Sequence, residues 1–405
     1  EFKGYQELTL EARVLGLRRG GEDVRQATED DAVEVFLDAT PLYAESGGQV
    51  GDTGEIAGPH GRLRVEDTQR PAEGVIAHVG TVVVGTIEVG EEVTASVDTA
   101  RRHRVARHHS ATHLLHKALR ETLGEQAIQK GSWVGPDHTT FDFAFNRAVT
   151  REELEAVSRR VSEQVRAALP FHETYRSYQE AVESGAMHLF EEKYGDTVRV
   201  VCFGDWTCEL CGGTHVANSA DVGTTAILSE SSVAAGVRRL DLVAGEAADE
   251  LVRRRLQQAN ELARALGVPA DQLPQRVADL RTELKEKEKA IARLNEQVMA
   301  ARLRGPKAPQ AAENGARLVD DELEPSADLK AWADMALGGM AQPGVAFASS
   351  GQRYVLKVHS QLTDRVNALE AREHIGPGGG RPEFVEGKLT HPRADVIRYL
   401  KERLK

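Results

Sequence analysis

Short apolar runs separated by Gly, Asp and Pro residues fill the first hundred residues of the chain. Examples are Val33–Leu37, Val82–Val84 and Val93–Val97, all rich in β-branched side chains. Such runs between turn-forming residues are typical of β-strands. The pattern predicts a β-rich, barrel-like subdomain over residues 1–100.

Helical and strand patterns alternate between residues 101 and 247. Apolar residues recur at helical spacing in Arg101–Leu123 and in Arg151–Leu169, and Thr150 followed by acidic residues is typical of a helix start. Apolar and aromatic residues predict strands in three further segments, which are Phe141–Phe145, Val198–Phe203 and Leu240–Ala244. Residues 101–247 are therefore predicted to form a mixed α/β core.

A heptad-like seam follows within residues 248–304. After a break at Gly267 and Pro269, apolar side chains recur at spacings of three and four, with Lys287 as the one polar member. The seam consists of Val277, Leu280, Leu284, Lys287, Ile291, Leu294, Val298 and Ala301. It predicts a helical hairpin or coiled coil. We favour an intramolecular spacer, because about four heptads are short for an independent dimer. The alternative is a homodimer through the C-terminal region.

The stretch from Gly305 to Gly315 is rich in Gly, Pro, Ala and Asn, which predicts a linker. Residues 316–405 then combine strand-like and helical segments. The strands are predicted at Val345–Ser350 and Tyr354–His359, a helix at Asp364–Arg372, and a basic helix at the end of the chain. Together the four parts predict an α+β protein with a small C-terminal α/β globular domain.

Composition narrows the class of protein. The chain has 405 residues, of which 40% are hydrophobic and 28% charged, as is typical of two to four globular domains. No run approaches the ~20 apolar residues of a membrane helix, so we expect no membrane partner. The net charge of −12 argues against unspecific coating of nucleic acid but leaves local basic patches open. Since the chain begins with Glu1 and not with Met, we expect a piece of a longer protein.

Two short motifs each place two metal donors four residues apart. His109 and His113 lie on a predicted helix, where positions i and i+4 share one face. Cys211 and His215 flank two glycines, whose freedom lets the loop turn both donors inward. Three imidazoles and one thiolate form a complete ligand set for a tetrahedral Zn²⁺. No His-Glu-x-x-His motif accompanies them, so the metalloprotease pattern is missing.

The three cysteines, Cys202, Cys208 and Cys211, lie within ten residues of one another. We interpret them as metal-binding thiols of a reducing, cytoplasmic environment and not as a disulfide framework. A second thiol ligand from Cys208, or a redox-active pair, stays open as an alternative. We expect Cys208, His108 and His116 to be packing or solvent residues.

A Gly-rich stretch, Ala44–Gly54, lacks the Lys-Ser/Thr ending of a phosphate-binding loop. It is interpreted as a hairpin or bulged turn, or else as a flexible wall of a pocket.

Five motifs follow one another along the chain: TPLYAESGGQVGDTG, HSATHLLHKAL, QKGS, ELCGGTH and GVRRL. In this order they resemble the editing domain of the alanyl-tRNA synthetase family, and the opening FKGY and the later GGGRP fit the same family. The resemblance covers essentially the whole chain. It implies hydrolysis of tRNA(Ala) mischarged with serine or glycine, with the aminoacylation domain of the parent chain as a partner. We see no resemblance to class II synthetase motifs and expect no alanine activation.

The resemblance also implies site residues. The family's metal ligands correspond to His109, His113, Cys211 and His215. Catalytic or pocket roles are implied for three residues, which are Thr112, Gln129 and Arg238. The family usually has Thr or Ser where this chain has Cys208. A carboxylate beside a ligand histidine is expected at Asp205.

The expected chemistry is attack of a water on the aminoacyl ester carbonyl. Four protein ligands favour an ion that positions the substrate over one that supplies a zinc-bound hydroxide. A hydroxyl at Thr112 would distinguish serine from alanine. The alternatives are a free-standing trans-editing protein and a zinc-stabilised tRNA-binding module without catalysis.

Two basic regions are expected to contact RNA. Arg101 and Arg104 precede the metal helix, where an acceptor-stem phosphate could approach. In the C-terminal domain, residues 353–405 carry a net charge of +4, and the resemblance implies a tRNA grip there. Backbone amides of Gly378 and Gly379, with Arg381 beside them, are the predicted phosphate contacts.

Overall fold

The computed structural model describes residues 1–187, 196–304, 310–311, 315–325 and 327–405. Most of the predicted linker at 305–315 therefore lies outside the described residues. The chain divides into two compact units, Glu1–Glu261 and Leu262–Lys405, and each is described by itself. This division is coarser than the predicted four parts, which stay a prediction.

Residues 1–97 form a closed six-stranded barrel. Its strands run in the order β1-β4-β7-β6-β5-β8, and β8 pairs back with β1 to close the ring. Apolar residues alternate inward along each strand and fill the barrel, as the sequence predicted. The six barrel strands are β1 (Thr9–Arg19), β4 (Ala32–Leu37), β5 (Gly54–Ala57), β6 (Gly61–Ala72), β7 (Val75–Glu88) and β8 (Glu92–Val97). Two short strands lie outside the ring: β2 (Glu22–Val24) pairs with β1, and β3 (Gln26–Thr28) pairs with β7.

A long helix on an antiparallel sheet forms the core of the first unit. Helix α1 packs against a four-stranded sheet of order β14-β15-β10-β9, and a second sheet has the order β11-β12-β13. The helices are α1 (Thr99–Leu123), α2 (Arg151–Arg166), α3 (Tyr178–Glu183) and α4 (Glu246–Leu266), and the last five residues of α4 belong to the second unit. The strands are β9 (Gln129–Val134), β10 (Thr139–Ala144), β11 (Phe171–Ser177), β12 (Thr197–Phe203), β13 (Thr207–Leu210), β14 (Thr225–Ala234) and β15 (Val237–Ala244).

Helix boundaries follow local capping. Thr150 caps α2 in a capping box with Glu153, which confirms the predicted start. The helix ends at Arg166, three residues before the predicted Leu169, because Ala168 adopts a positive φ ahead of Pro170.

The second unit contains the long helix α5 (Leu273–Arg304) and a six-stranded mixed sheet of order β16-β17-β18-β19-β21-β20. Within α5, the seam residues Val277, Leu284, Ile291, Leu294 and Val298 are about half exposed. Pairing of α5 with another helix stays a prediction. The other elements are β16 (Gln310–Ala311), β17 (Arg317–Glu322), α6 (Leu329–Gly338), β18 (Gly344–Ser350), β19 (Arg353–Val358), α7 (Ala368–Ile375), β20 (Gly378–Arg381), β21 (Phe384–Lys388) and α8 (Arg393–Leu404).

The helix predicted at Asp364–Arg372 begins later, at Ala368, because Asn367 caps it by accepting from the amides of Leu369 and Glu370. Within the described ranges, no helix has the length and apolarity that crossing a membrane requires.

Candidate metal centre and its pocket

Helix α1 presents two of the four predicted ligands. Asp98 caps the helix by accepting from the amide of Arg101, and the helix then runs unbroken past His109 and His113. The two imidazoles stack with ring centroids 5.2 Å apart and planes 4° apart. Both side chains are buried. The spacing of four residues therefore brings two nitrogen donors to one face, as the sequence predicted.

The loop after β13 brings the other two donors to the same place. One ligand atom each from His109, His113, Cys211 and His215 lies within 4.8 Å of the others. The Cys211 Sγ is 3.3 Å from His109 Nε2. Residues a hundred positions apart thus converge on one point, with the donor types that Zn²⁺ takes in tetrahedral sites.

Each imidazole has an oxygen on its outer nitrogen. His109 Nδ1 lies 2.7 Å from Gln49 Oε1, His113 Nδ1 lies 2.7 Å from Glu209 Oε2, and His215 Nδ1 lies 3.4 Å from Ser110 Oγ. Among the described residues, the inner Nε2 atoms of His113 and His215 are buried without a hydrogen-bond partner, and His113 Nδ1 meets Glu209 as an ion pair and not as a hydrogen bond. Partners on Nδ1 and bare Nε2 atoms facing inward are what metal-ligating histidines require, so the residues fit a bound ion.

Within the cluster, the charge of each side chain shifts the pKa values of its neighbours. Burial alone would raise the pKa of the Cys211 thiol, but the three surrounding imidazoles lower it well below its usual range. Burial alone would lower the pKa of His113, but Glu209 and Cys211 raise it to about 10. Burial lowers the pKa of His215 to about 3. A thiolate and a neutral imidazole are the forms that coordinate a metal, so Cys211 and His215 are already in those forms, whereas His113 would give up a proton to a bound ion.

Glu209 ties two histidines of α1 together from β13. Its Oε1 is 3.1 Å from His116 Nδ1 while its Oε2 contacts His113. Burial alone would raise the pKa of Glu209, but these two imidazoles lower it below its usual range. The expected acceptor, Asp205, lies exposed in the turn between β12 and β13. Glu209 thus has the role expected of Asp205, because alternation along the strand turns its side chain toward α1.

The Cys211–Gly213 backbone is held from outside the motif. Arg199 Nη1 donates to the carbonyls of Cys211 (3.0 Å) and Gly213 (2.8 Å), and Tyr5 donates to the carbonyl of Gly212 at 2.5 Å. A Cβ on Gly213 would lie 2.0 Å from His109 Cε1, whereas one on Gly212 would meet open space. Only Gly213 is therefore needed for close approach. Sequence reasoning missed Arg199 and Tyr5, since neither lies near the motif in the chain.

A cavity of about 600 Å³ opens beside the cluster. Thr112 and Gln129 line it, as do Ser46, Gly47 and Arg70 from the barrel part of the chain. The remaining lining includes Ser132, Met187, Thr197, Val198, Arg199, Glu209 and Leu210. The Gly-rich stretch is therefore both a tight turn and a wall of this cavity.

Thr112 and Arg238 differ in placement. Thr112 is buried, donates to the carbonyl of His108 at 2.8 Å and lies 3.0 Å from Thr139 Oγ1. Arg238 lies on β15, forms an ion pair with Glu230 at 2.5 Å and does not line the cavity.

His108 and His116, two further histidines on α1, have different surroundings. His108 accepts from the amide of Ala244 at 3.1 Å and packs as expected. His116, which we expected to be a packing or solvent residue, is buried against Glu209 and also lines the cavity.

Cys202 and Cys208 form a disulfide, contrary to the expectation that the cysteines carry none. The two residues are direct partners in the antiparallel pair β12–β13, so the register brings their side chains together. Cys211 is the one free cysteine. The disulfide occupies the thiol of Cys208, which removes it as an alternative metal ligand.

The predicted RNA contacts are distributed over both units. In the first, Arg101 donates to the carbonyl of Gly51 at 2.7 Å, and Arg104 is half-buried. In the second, Gly378–Arg381 forms strand β20, which pairs with β21 at the sheet edge. Arg381 is exposed there, with its Nε 3.9 Å from a Glu383 carboxylate oxygen.

Comparison with known proteins gives two family matches. Residues 1–101 match the model of class II (A) tRNA synthetases, and residues 198–241 match the second additional domain of threonyl and alanyl tRNA synthetases. The first match covers a region where we saw no class II resemblance. The second includes strand β13 and the Cys211–His215 loop.

Similar proteins include three alanine–tRNA ligases. The ligase of Roseiflexus sp. (strain RS-1) is 38% identical over 95% of this chain and 46% of its own length. Those of Halorhodospira halophila and Thermotoga petrophila are each 40% identical, over 96% and 100% of this chain and 46% and 47% of their own lengths. The chain thus spans about half the length of the curated relatives it matches.

A solved DHH domain from a member of a ribosomal-protein family covers 33% of this chain, with a TM-score of 0.22 and 21% identity. A likeness this weak supports no conclusion about the fold.

Proposed function

Because this chain belongs to the alanyl-tRNA synthetase family, we propose that it is the proofreading part of such an enzyme. The reaction is hydrolysis of the ester that links serine or glycine to the 3′ end of tRNA(Ala). The observation that carries the proposal is the convergence of His109, His113, Cys211 and His215 at the edge of a cavity large enough for an aminoacyl-adenosine end.

Zinc is the proposed ion. The four ligand atoms are soft or borderline donors, and the second nitrogen of each imidazole already has an oxygen partner. A zinc ion held there would supply Lewis-acid character next to the ester. The histidines and Cys211 would hold the ion at the edge of the cavity.

Thr112 is the proposed reader of the serine side chain. With its own proton on the carbonyl of His108 and that of Thr139 on the carbonyl of Trp133, Thr112 Oγ1 is left to accept from an incoming hydroxyl. Alanine cannot make this contact. One neutral hydrogen bond contributes about 1 kcal/mol, or roughly fivefold in rate, so discrimination must also draw on the fit of the rest of the pocket.

Gln129 and Arg238 have different proposed roles. Gln129 lines the cavity and donates to Ser132 Oγ at 3.0 Å, which leaves its carbonyl oxygen for the substrate. Arg238 supports the sheet through its ion pair with Glu230. We propose Gln129 as a substrate contact and Arg238 as a residue that stabilises the wall behind the pocket.

The other parts of the chain have proposed roles in holding RNA. Residues 1–100 and 101–247 form the hydrolytic part, residues 248–304 set the spacing, and residues 316–405 grip the tRNA. Arg101 and Arg104 are proposed to face the acceptor stem, and Gly378, Gly379 and Arg381 the RNA backbone. Since tRNA is the substrate, we expect the protein to work in the cytoplasm.

Deacylation tests the proposal. Ser-tRNA(Ala), Gly-tRNA(Ala) and Ala-tRNA(Ala) are incubated with the chain before and after chelation, and after zinc is restored. We expect rapid release of serine and glycine, little release of alanine, loss on chelation and recovery with zinc. A chain that binds tRNA(Ala) but releases no amino acid would support the binding-module alternative.

A further inference from the structure

Gln49 is a fully buried glutamine that the proposed chemistry does not use. It is 0% exposed and comes from the Gly-rich turn, sixty residues before the nearest ligand. Its side chain reaches His109 on α1 and Thr214 in the ligand loop. The side-chain hydrogen bonds of this buried carboxamide all go to His109 and to Thr214 beside the ligands, so any role it has bears on the cluster.

The hydrogen bonds fix the orientation of the carboxamide. The backbone amide of Thr214 donates to Gln49 Oε1 at 2.9 Å, and Gln49 Nε2 donates to Thr214 Oγ1 at 3.0 Å. An amide N–H cannot accept, so the carboxamide oxygen must face it. The same oxygen lies 2.7 Å from His109 Nδ1. His109 must then carry a proton on Nδ1, and its Nε2, which lies 3.3 Å from Cys211 Sγ, is the nitrogen that faces the cluster.

The turn that carries Gln49 is rigidly placed. Ser46 and Gln49 exchange two backbone hydrogen bonds around Gly47 and Gly48, whose φ values are +57° and +81°. Two positive φ angles suit a tight hairpin turn and favour glycine. A Cβ on Gly48 would lie 2.3 Å from the carbonyl oxygen of Ser132, so the turn rests directly on strand β9.

The backbone on either side of Gln49 is bonded to β9 as well. The amide of Val134 donates to the carbonyl of Gly48 at 2.7 Å, and the amide of Val50 donates to the carbonyl of Val134 at 3.1 Å. Gln49 is therefore held from both sides, and its side chain can transmit that position to His109.

From this geometry we propose that Gln49 is a positioning residue that fixes the tautomer and ring orientation of His109. The inference rests on the proposed metal centre. Through it, the Gly-rich turn completes the cluster from outside α1 and the ligand loop. A partner on the second nitrogen of a metal-ligating histidine typically changes metal affinity 10–100-fold.

The test measures zinc affinity and not only activity. Gln49→Leu removes the acceptor while keeping most of the volume. Gln49→Glu keeps an acceptor for His109 and for the Thr214 amide, and the Thr214 hydroxyl can rotate to donate to it. Gln26→Leu is the matched control, because Gln26 is an exposed barrel glutamine whose Nε2 bonds Glu88 at 2.9 Å away from the cluster.

The dissociation constant for Zn²⁺ is measured by competition with a chromophoric chelator, and the ligand geometry by the absorption spectrum of the Co²⁺-loaded protein. We expect Q49L to bind Zn²⁺ about 10–100-fold more weakly than wild type and to show an altered Co²⁺ spectrum. Q49E and Q26L should stay within about threefold of wild type. Should Q49L fail to fold, Gln49→Asn withdraws the oxygen by one methylene and is expected to show the same loss.

Equal zinc affinity in wild type and Q49L, or in wild type and Q49N, would overturn the proposal. So would a lower unfolding midpoint of the zinc-free Q49L chain with unchanged zinc affinity, since that is the signature of a merely structural role. The proposed function fails separately. If Q49L loses zinc affinity while wild-type protein releases no serine from Ser-tRNA(Ala), the positioning role stands and the hydrolase does not.

Discussion

Glu209→Gln should weaken zinc binding while leaving the fold intact. The Glu209 Oε2 lies 2.7 Å from His113 Nδ1 in an ion pair, its Oε1 accepts from His116 Nδ1 at 3.1 Å, and the side chain is buried. A glutamine keeps the volume and one acceptor oxygen, but its NH₂ group opposes the second imidazole N–H. One of the two imidazole contacts then loses its charge and the other is lost altogether. We expect this to weaken zinc binding by about 2 kcal/mol, or roughly 30-fold in affinity.

The assay is competition for Zn²⁺ at fixed pH, with urea unfolding of the zinc-free chain measured in parallel. Glu121→Gln is the matched control, because Glu121 lies on α1 and accepts from Arg160 Nε at 2.7 Å and Trp206 Nε1 at 3.0 Å, yet does not line the cavity. The control should bind zinc as wild type does. If E209Q and E121Q bind zinc equally well, the carboxylate does not orient His113, and the reasoning fails.

Three further predictions concern stability and specificity. Asp52→Asn leaves the Arg102 guanidinium buried without its charge partner, so we expect the free energy of unfolding, measured in urea, to fall by about 3–5 kcal/mol. Asp23→Asn, at the exposed pair with Arg18, should lower it by less than about 1 kcal/mol, and equal losses in the two variants would refute the reasoning. Burial lowers the pKa of His78 to about 4, below its unfolded value of ~6.5. As pH drops, the unfolded chain therefore takes up this proton before the folded chain does, and the free energy of unfolding falls between pH ~6.5 and 4 by up to about 3 kcal/mol for this group. His78→Gln should reduce the dependence of the unfolding free energy on pH in that range, and an unchanged dependence would contradict the reasoning. Thr112→Val should slow serine release roughly fivefold and leave glycine release nearly unchanged, and equal slowing of both would remove Thr112 as the serine reader.

Local pattern was enough to predict several of the elements and the two donor pairs of the metal cluster. His109 and His113 are four residues apart on one helix, so their shared face follows from helical geometry alone. Thr150 and Glu153 likewise form their capping box within one turn. Such features depend only on residues within about one helical turn, so the sequence alone predicts them.

The surroundings of the cluster depend on contacts between distant segments. Gln49 reaches His109 across sixty residues, and Tyr5 reaches Gly212 across more than two hundred. Strand register decides the rest: it turns Glu209 toward α1 and sets Cys202 opposite Cys208. Hydrophobic alternation predicts that a segment is a strand but not which residue of the next strand lies opposite it.

The barrel is a similar case. Alternating apolar residues predicted its strands, but closure requires β1 to pair with β8, about eighty residues later. In the second unit, the run Gly378–Gly380 has no apolar side chains, so hydrophobic alternation cannot identify it as a strand. It pairs with β21, and glycine fits there because a Cβ on Gly378 or Gly380 would lie within 2.5 Å of a carbonyl oxygen of β21.

Single-turnover release of serine from Ser-tRNA(Ala), by wild-type protein and by Cys211→Ala, tests the central claim most directly. Cys211 is the one thiol in the cluster, and its Sγ lies 3.3 Å from His109 Nε2. The account predicts fast release by the zinc-loaded wild type, and loss of both bound zinc and serine release in C211A. Serine release by C211A at the wild-type rate, or no release by zinc-loaded wild type, would contradict it.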